Sequence, residues 1–225
     1  MQAGERRDTD VRHEDQRPPA AALFDALGAD YEKAFAHAPA HLAALEWLIE
    51  RLPPAARVLD VGSGTGRPTA AALVEAGHSV LGVDVSAVMV ELAARQVPGA
   101  EFRCTDIREL PLETAAFDGV CVFFSLLQMA RAEQSALLRR LALALRPGGH
   151  LVLATVPADV EDLEVVFMGR PVRATSFAED GVVVLAEDAG LTVLSRQGTL
   201  FTPDHPGAGP EPHLFLYCRR DGGGG

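Results

Sequence analysis

The feature that most constrains the fold is a short apolar run that passes directly into three alternating glycines. Residues 58–68 read VLDVGSGTGRP. The first four residues are predicted to form a buried parallel strand, because the run is short, apolar and followed at once by turn residues. Gly62, Gly64 and Gly66 let the backbone turn sharply and approach a ligand without a Cβ in the way. Pro68 suits a first helical position, so the free N–H groups of a helix start are expected to face this loop.

The spacing of the glycines excludes two common nucleotide-binding loops. The dinucleotide fingerprint G-x-G-x-x-G requires a third glycine at position 67, where Arg67 stands instead. No G-K-[ST] follows, which excludes a phosphate-binding P-loop. The G-x-G-x-G stretch resembles motif I of the Rossmann-like (class I) S-adenosylmethionine-dependent methyltransferases of the small-molecule type. The resemblance extends from Tyr31 to Tyr217.

Composition excludes several functional classes. The chain of 225 residues has a formal net charge of −11, and Lys33 is its only lysine. Nucleic-acid binding needs clustered cations, so we expect no nucleic-acid partner. Residues 1–19 contain no apolar run of the kind that a secretory signal needs, and no stretch is long enough to cross a bilayer. We therefore expect a cytoplasmic protein without a membrane partner, either a monomer or a homodimer.

The cysteines indicate neither a disulfide nor a metal site. Cys104, Cys121 and Cys218 are odd in number, lie in apolar strand-like runs and form no C-x-x-C motif. Buried free thiols in a reducing compartment are the favoured interpretation. No set of residues at metal-ligand spacing emerges along the chain, so no metal is predicted.

Strand-like and helix-like segments alternate along the chain, which predicts an α/β fold with a doubly wound, mostly parallel sheet. The resemblance implies seven strands with the last one antiparallel, helices on both faces and an N-terminal helical cap. The predicted organisation is a single domain over residues 20–220. Its parts and flanks are a disordered tail 1–19, the helical cap 20–54, the cofactor-binding core 55–156, an insertion and C-terminal strands 157–220, and a flexible tail 221–225.

The predicted strands are short apolar runs that end at turn residues, at 58–61, 79–83, 100–104, 117–124, 150–156, 191–195 and 213–218. Two further weak strands are indicated within the insertion. Ser86 is expected to cap a helix, and Ser176 with Glu179 to form a capping box for a helix that ends at Ala189. The Gly- and Pro-rich stretch between the last two strands predicts a long, lid-like loop.

Two carboxylates close neighbouring strands at the edge where ligands bind in an open α/β sheet. Asp60 ends the first strand beside the glycine loop, where its charge can balance the ammonium group of a methionine moiety. Asp84 ends the second strand, at the separation from the loop that is expected for recognition of both ribose hydroxyls. An Asp at a strand end is also a common turn residue, but its pairing with the glycine loop favours a ligand role.

The resemblance implies further cofactor contacts. Asp106 would bind the exocyclic amine of adenine, and Ile107 would approach the ring through its backbone. Tyr31 would bond the methionine end, although a core aromatic role is equally open. The full set of predicted cofactor residues is Tyr31, Asp60, Gly62, Ser63, Gly64, Gly66, Asp84, Val85, Met89, Thr105, Asp106, Ile107, Phe124 and Ser125.

The segment after the fourth strand, FFSLLQM at 123–129, predicts an apolar acceptor pocket. It lacks the Asn/Asp-Pro-Pro-Tyr signature of amino-group methyltransferases and the acidic metal ligands of catechol-type enzymes. A small, largely apolar acceptor is therefore expected, methylated at O, N or C, with Leu127, Gln128 and Met168 as substrate contacts. The Lys-poor composition is typical of high-GC bacterial genomes and points by association to secondary metabolism.

The general base is assigned to His37 or His213, because histidine is the usual base and both flank the expected cleft. His41 on the covering segment and His205 in the last loop are further candidates. Two alternative functions remain open. One is a protein of this fold that binds the cofactor but catalyses a non-methylating reaction such as a cyclisation. The other is a binding module without chemistry.

Overall fold

The alternating strands and helices form one sheet covered by helices on both faces, in a computed structural model that describes residues 18–222. The helices are α1 Pro19–Leu27, α2 Ala29–Phe35, α3 Pro39–Ile49, α4 Thr69–Glu75, α5 Ala87–Gln96, α6 Arg131–Ala144 and α7 Glu179–Asp188. The strands are β1 Arg57–Val61, β2 Ser79–Asp84, β3 Glu101–Cys104, β4 Phe117–Phe123, β5 Leu145–Thr155, β6 Leu163–Phe167, β7 Arg170–Ala174, β8 Leu191–Phe201 and β9 Glu211–Arg220. Residues 1–17 of the predicted N-terminal tail and residues 223–225 of the predicted C-terminal tail lie outside the described residues.

The sheet has the strand order β3-β2-β1-β4-β5-β9-β8. Strand β1 pairs in parallel with both β2 and β4, while β9 runs antiparallel to its neighbours β5 and β8. This confirms the predicted doubly wound, mostly parallel sheet of seven strands. Strands β2 and β3 lie on one side of β1, whereas β4 and the later strands of this sheet lie on the other, so the strand order switches between β1 and β4. In sheets of this kind, ligands bind in the crevice beyond the carboxyl ends of these two strands.

The core lies on both faces of the sheet because the central strands are buried on both sides. Along β1, Val58 packs with the α3 and α4 side, and Leu59 packs with the α6 and α7 side. This alternation follows the two-residue period of a strand. Every residue of β4 is buried. The continuous apolar runs in the sequence are thus explained by burial on both faces of a parallel sheet.

Two local predictions are wrong. Helix α7 begins after Ala178, and the Ser176 hydroxyl donates to the backbone oxygen of Val156 instead of forming a capping box with Glu179. Cys104 is exposed, because it ends the edge strand β3, whereas Cys121 and Cys218 are buried. Ser86 does cap α5, accepting a hydrogen bond from the Met89 N–H at 3.1 Å.

The long loop predicted before the last strand is shorter than expected, because part of it is strand. Strands β8 and β9 stay paired out to Phe201 and Glu211, with Thr199 opposite His213, so only residues 202–210 form the connection. The backbone hydrogen bonds between β8 and β9 thus continue into both ends of the predicted loop, although its glycines and prolines disfavour a strand. The consequence for the site is that His213 sits on a strand, with a fixed direction.

Helices α1 and α2, here called the lid, cover the carboxyl edge of the sheet. The lid is attached through Asp25, whose Oδ1 accepts from the Ser86 hydroxyl at 2.6 Å and from the Val88 N–H at 3.3 Å. The β6–β7 hairpin meets the lid through stacked rings of Phe35 and Phe167, with centroids 6.1 Å apart. Among residues 18–222, no helix combines the length and apolarity needed to cross a membrane.

We predict that Asp25→Ala loosens the lid without unfolding the sheet. The substitution removes two hydrogen bonds to an acidic acceptor, and such bonds contribute ~1.5–3 kcal/mol each. Amide hydrogen exchange in α1 should accelerate by about tenfold or more, while β1 and β4 keep their protection. The matched control is Asp30→Ala, which removes an exposed pair with Lys33 on the same lid and should leave exchange unchanged. Equal acceleration in both variants would contradict this attachment.

Candidate active site

The glycine loop between β1 and α4 turns back over the end of β2. The N–H groups of Gly62 and Ser63 both donate to the Val83 oxygen, at 2.8 and 3.1 Å. Gly62 has a φ of +71°, and a Cβ built there would lie 2.3 Å from the Ser125 Cβ, so glycine is required. Gly64 has a φ of +51° with open space on its Cβ side. The loop thus presents bare backbone to an empty volume.

That volume consists of two adjoining chambers. The first, about 390 Å³, extends from the glycine loop towards α3 and β9. The second, about 150 Å³, extends along the ends of β2, β3 and β4. The residues that line both chambers, here called the seam, are Tyr31, Gly62, Gly64, Phe123 and Phe124. A ligand that crosses the seam would place its middle directly over the glycine loop.

Asp84 lies at the end of β2 and holds the loop in place. Its Oδ2 accepts from the Gly64 N–H and its Oδ1 from the Ser86 N–H, both at 2.9 Å. Burial raises the pKa of Asp84, and these backbone hydrogen bonds oppose the rise. Each carboxylate oxygen can accept a second hydrogen bond, so Asp84 can still receive hydroxyl donors from the second chamber that it lines.

Asp60 is the buried, incompletely paired group of the site. Its side chain is 2% exposed, and its Oδ2 has no hydrogen-bond partner among the described residues. Burial, and next the charge of Asp84, raise the pKa of Asp60 to about 7. Buried atoms of three neighbours also lack partners in the described part of the chain, namely Ser63 Oγ, Ser125 Oγ and Gln128 Oε1. Such atoms are costly unless a ligand bonds them.

The far end of the second chamber has apolar walls. Val85, Met89, Thr105 and Ile107 line it, as do Asp106 and Arg108. Burial would raise the pKa of Asp106, but hydrogen bonds and the charge of Arg108 lower it overall. Because Arg108 already bonds both carboxylate oxygens, any amine contact would have to share one of them.

Phe124, one of the seam residues, has a strained backbone conformation. It follows β4 directly, with a φ of +56°, and its N–H donates to the Ala154 oxygen at 2.8 Å. A left-handed backbone is uncommon for a bulky residue and marks functional sites more often than other places. The conformation puts the Phe124 ring 4.4 Å from the His213 ring, at the entrance to the first chamber.

Two histidines line the first chamber. His213, on β9, is 2% exposed, and its Nε2 lies 2.8 Å from Glu211 Oε1. His41, on α3, lies with Nε2 3.1 Å from the Thr69 hydroxyl, and its ring contacts Phe123 at 4.0 Å. Burial, and next the charge of His213, lower the pKa of His41 to about 4, so its ring is neutral near pH 7.

The structure brings most of the predicted residues together. Each predicted cofactor residue except Gly66 lines one of the two chambers; Gly66 packs under the loop against Val97 and Phe102. Of the predicted substrate residues, Gln128 lines the second chamber, whereas Leu127 and Met168 line neither. His37 is exposed in the turn after α2, outside both chambers.

Sequence reasoning missed Glu211 and understated His41. The signal for Glu211 was present, since residues two apart on a strand point to the same side, and Glu211 is two residues before His213. The placement of His41 against Thr69 depends on the packing of α3 on α4, which no local pattern indicates. Among the described residues, no group of three His, Cys, Asp or Glu side chains could hold a metal ion.

Comparison with known proteins identifies the core of the chain. Residues 58–149 match the family model of a methyltransferase domain. An O-methyltransferase, cnsE of Penicillium expansum, is 36% identical over 117 residues, which are 48% of this chain and 42% of that protein. Methyltransferase GfsG of Streptomyces halstedii is 36% identical over 119 residues, 49% of this chain and 42% of that protein. The chain therefore aligns with less than half the length of these curated relatives.

Solved structures share the fold over nearly the whole chain. The 1,6-didemethyltoxoflavin-N1-methyltransferase of Burkholderia thailandensis, solved with S-adenosylhomocysteine, superposes with a TM-score of 0.69 at 24% identity, covering 90% of this chain and 87% of that one. The [4+2]-cyclase SpnF superposes with a TM-score of 0.71 at 19% identity, covering 92% and 97%. The fold is the Rossmann-like methyltransferase fold. Within this fold, residues 58–149 are the part of the chain that matches the methyltransferase-domain model.

We predict that Asp84→Asn weakens the binding of S-adenosylhomocysteine. Removing a charged acceptor from ribose hydroxyls costs ~1.5–3 kcal/mol, which is a rise in Kd of about 10- to 150-fold. Titration calorimetry on folded protein measures it. Asp180→Asn, on the exposed start of α7, is the matched control and should leave the Kd unchanged. An unaltered Kd in Asp84→Asn would remove this carboxylate from the ligand site.

We also predict a pH dependence that belongs to Asp60. The raised pKa means that this carboxyl is largely protonated below pH 7, whereas a cationic ligand favours the ionised form. The affinity for S-adenosylmethionine should therefore rise as pH increases towards about 7, and proton release should accompany binding below that value. Calorimetry in two buffers of different ionisation enthalpy counts the protons. In Asp60→Asn this part of the proton release should vanish, and its persistence would assign it to another group.

Proposed function

We propose that this protein transfers the methyl group of S-adenosylmethionine to a small, largely apolar acceptor at O, N or C. The observation that carries the proposal is the pair of chambers that meet over the glycine loop. The second chamber has apolar wall residues and the Asp84 carboxylate, which suit contacts to an adenosine group. The first chamber adjoins it at the seam, where a sulfonium methyl would face an acceptor.

The charges of the site support this assignment. Asp60 and Glu75 line the first chamber and Asp84 the second. A cationic sulfonium and an ammonium group are attracted by such carboxylates. Tyr31 at the seam stays a neutral hydrogen-bonding phenol, because burial and the charges of Asp84 and Glu211 raise its pKa. The unpaired oxygens of Asp60, Ser63 and Ser125 offer acceptors to the methionine end.

Aromatic side chains form one part of the lining of the proposed acceptor chamber. Phe35, Phe123 and Phe124 line it, together with His41 and His213. Methyl transfer from a sulfonium needs mainly alignment of the nucleophile and exclusion of water, and the aromatic part of the chamber wall would contribute to both. Two similar proteins, an O-methyltransferase and a 1,6-didemethyltoxoflavin-N1-methyltransferase, are consistent with an acceptor of this kind.

We further propose a secondary metabolite as the acceptor and the cytoplasm as the location. The net charge of −11 and the single lysine support a small molecule over a nucleic acid. Burial raises the pKa of the thiols Cys121 and Cys218, which suits unreactive cysteines in a reducing compartment. A monomer or a homodimer remains the expected assembly.

One observation favours a second candidate function. The fold matches a [4+2]-cyclase over almost the full length of both chains, so a protein of this fold can be named for a cyclisation instead of a methylation. In that case the cofactor would bind the same two chambers without losing its methyl group. A binding module without chemistry would show the same cofactor affinity and no turnover.

We predict that incubation with S-adenosylmethionine and a panel of small phenols, amines and thiols yields S-adenosylhomocysteine in proportion to methylated product. Mass spectrometry detects both products. Gly64→Val should abolish cofactor binding, because its Cβ would enter the open space over the loop and its φ of +51° disfavours a branched residue.

The matched control is Gly198→Val, a glycine of β8 with open space around it and no positive φ. This variant should fold and bind as the natural chain does. Product without loss of the methyl group would favour the cyclase-like reaction. Cofactor binding with no product from any acceptor would favour the binding module.

A further inference from the structure

We propose that Glu211 positions His213 as the general base for a hydroxyl acceptor, so that the first chamber methylates phenols or enols at oxygen. This inference rests on the proposed methyl transfer and narrows it to one acceptor class. His213 would be the catalytic residue, in contact with the acceptor. Glu211 would act through it as a positioning residue.

The pair has the geometry of a base and its orienting carboxylate. Both residues lie on the same side of β9, and the His213 ring is held between Phe124 at 4.4 Å and Phe201 at 5.4 Å. Glu211 Oε1 lies 2.8 Å from Nε2. An ionised carboxylate only accepts, so Nε2 carries the hydrogen, and the neutral ring has its lone pair on Nδ1.

The titratable groups around His213 come from three elements. Glu211 is on its own strand, His41 faces it from α3, and Tyr31 on α2 lies close enough to Glu211 to be affected by its charge. His41 is neutral near pH 7 and shares a hydrogen bond with Thr69, which leaves His213 as the chamber histidine that is paired with an acid. The other side chains in ring contact with His213 are phenylalanines.

The reaction balances with these groups alone. The acceptor hydroxyl gives its proton to Nδ1 of His213, and Glu211 stabilises the resulting imidazolium. The acceptor oxygen forms a bond to the methyl carbon as the carbon–sulfur bond breaks, with the electron pair kept by sulfur. The products are an aryl or enol methyl ether, S-adenosylhomocysteine and a proton that passes to solvent.

A base of this kind indicates the class of acceptor. A neutral amine attacks with its own lone pair and can lose a proton afterwards, whereas a phenol or enol is a far better nucleophile once deprotonated. The rings of Phe35, Phe123 and Phe124, which line the chamber, favour a flat partner by stacking. A cavity of about 150 Å³ holds benzene, so about 390 Å³ leaves room for one or two fused rings beside the methionine end.

The test compares three bicyclic acceptors of similar size, namely 2-naphthol, the more acidic 7-hydroxycoumarin, and 2-naphthylamine. The natural protein should methylate both phenols faster than the amine. His213→Gln keeps an N–H donor towards Glu211 but removes the base, so kcat on 2-naphthol should fall by about 10²–10⁴-fold. The loss on 7-hydroxycoumarin should be at least ~10-fold smaller at a pH where that phenol is already ionised, since it then needs no base.

Glu211→Gln tests the positioning role without the risk of removing a buried ring. The kcat on 2-naphthol should fall by ~10–100-fold with KM changed less than ~3-fold. The Kd for S-adenosylhomocysteine should remain within about twofold. Glu46→Gln, an exposed position on α3 outside both chambers, is the matched control and should leave all three quantities unchanged. A merely structural role would lower activity on both phenols equally.

The outcomes separate this inference from the proposed function. Methylation of the amine in preference to both phenols, or equal losses on the two phenols in either variant, would overturn the base assignment while methyl transfer stands. Absence of methylation of both phenols by the natural protein would also overturn it. Cofactor binding without methyl loss to any acceptor would overturn the proposed function itself.

Discussion

The arrangement of the site depends on two hydrogen bonds that Asp84 accepts, from the backbone of Gly64 and of Ser86. The first fixes the glycine loop against the end of β2, and the second fixes the start of α5. Ser86 in turn donates its hydroxyl to Asp25 of the lid at 2.6 Å. One carboxylate therefore connects the loop, a helix start and the cover of the cleft, so that a ligand which bonds Asp84 contacts the group that organises all three.

Burying carboxylates at this site also costs electrostatic free energy, and a bound cation can reduce that cost. Asp60 and Asp84 are both buried, and burial together with the charge of Asp84 raises the pKa of Asp60 to about 7. A raised carboxyl pKa in the folded state means that folding is favoured by protonation, so the free energy of unfolding from this group declines between about pH 4 and pH 7. A bound cation restores the balance, since it stabilises the ionised form. Without a ligand, the Asp60 carboxyl therefore contributes less to the free energy of unfolding near neutral pH. The same carboxylate supplies the negative charge that complements a sulfonium.

The strands, and the sheet edge at which the proposed cofactor residues lie, could be predicted because their signals are local. Apolar runs ending at Asp60 and Asp84 indicate strand ends, and strand ends in a parallel sheet share one edge. The acceptor side could not be predicted as well, because it depends on contacts between distant segments. Leu127 follows the correct strand, but its side chain lines neither chamber, since strand order specifies an edge and not the direction of a residue beyond it. His37 and His41 are four residues apart, yet the break between α2 and α3 exposes the first while the second is partly buried on α3. Ser176 illustrates a local pattern overridden by a tertiary hydrogen bond to Val156.

The two chambers also differ in which part of the chain builds them. Except for Tyr31, the residues proposed to hold the cofactor lie within 58–149, the stretch that matches the methyltransferase domain. The residues that give the first chamber its character, Phe35, His41 and His213, all lie outside it. Under the proposed function, changes at Phe35, His41 or His213 would alter the acceptor chamber while the glycine loop and Asp84 stay unchanged. Recombination of the flanks with an unchanged core is a direct route by which one such scaffold can diversify its products.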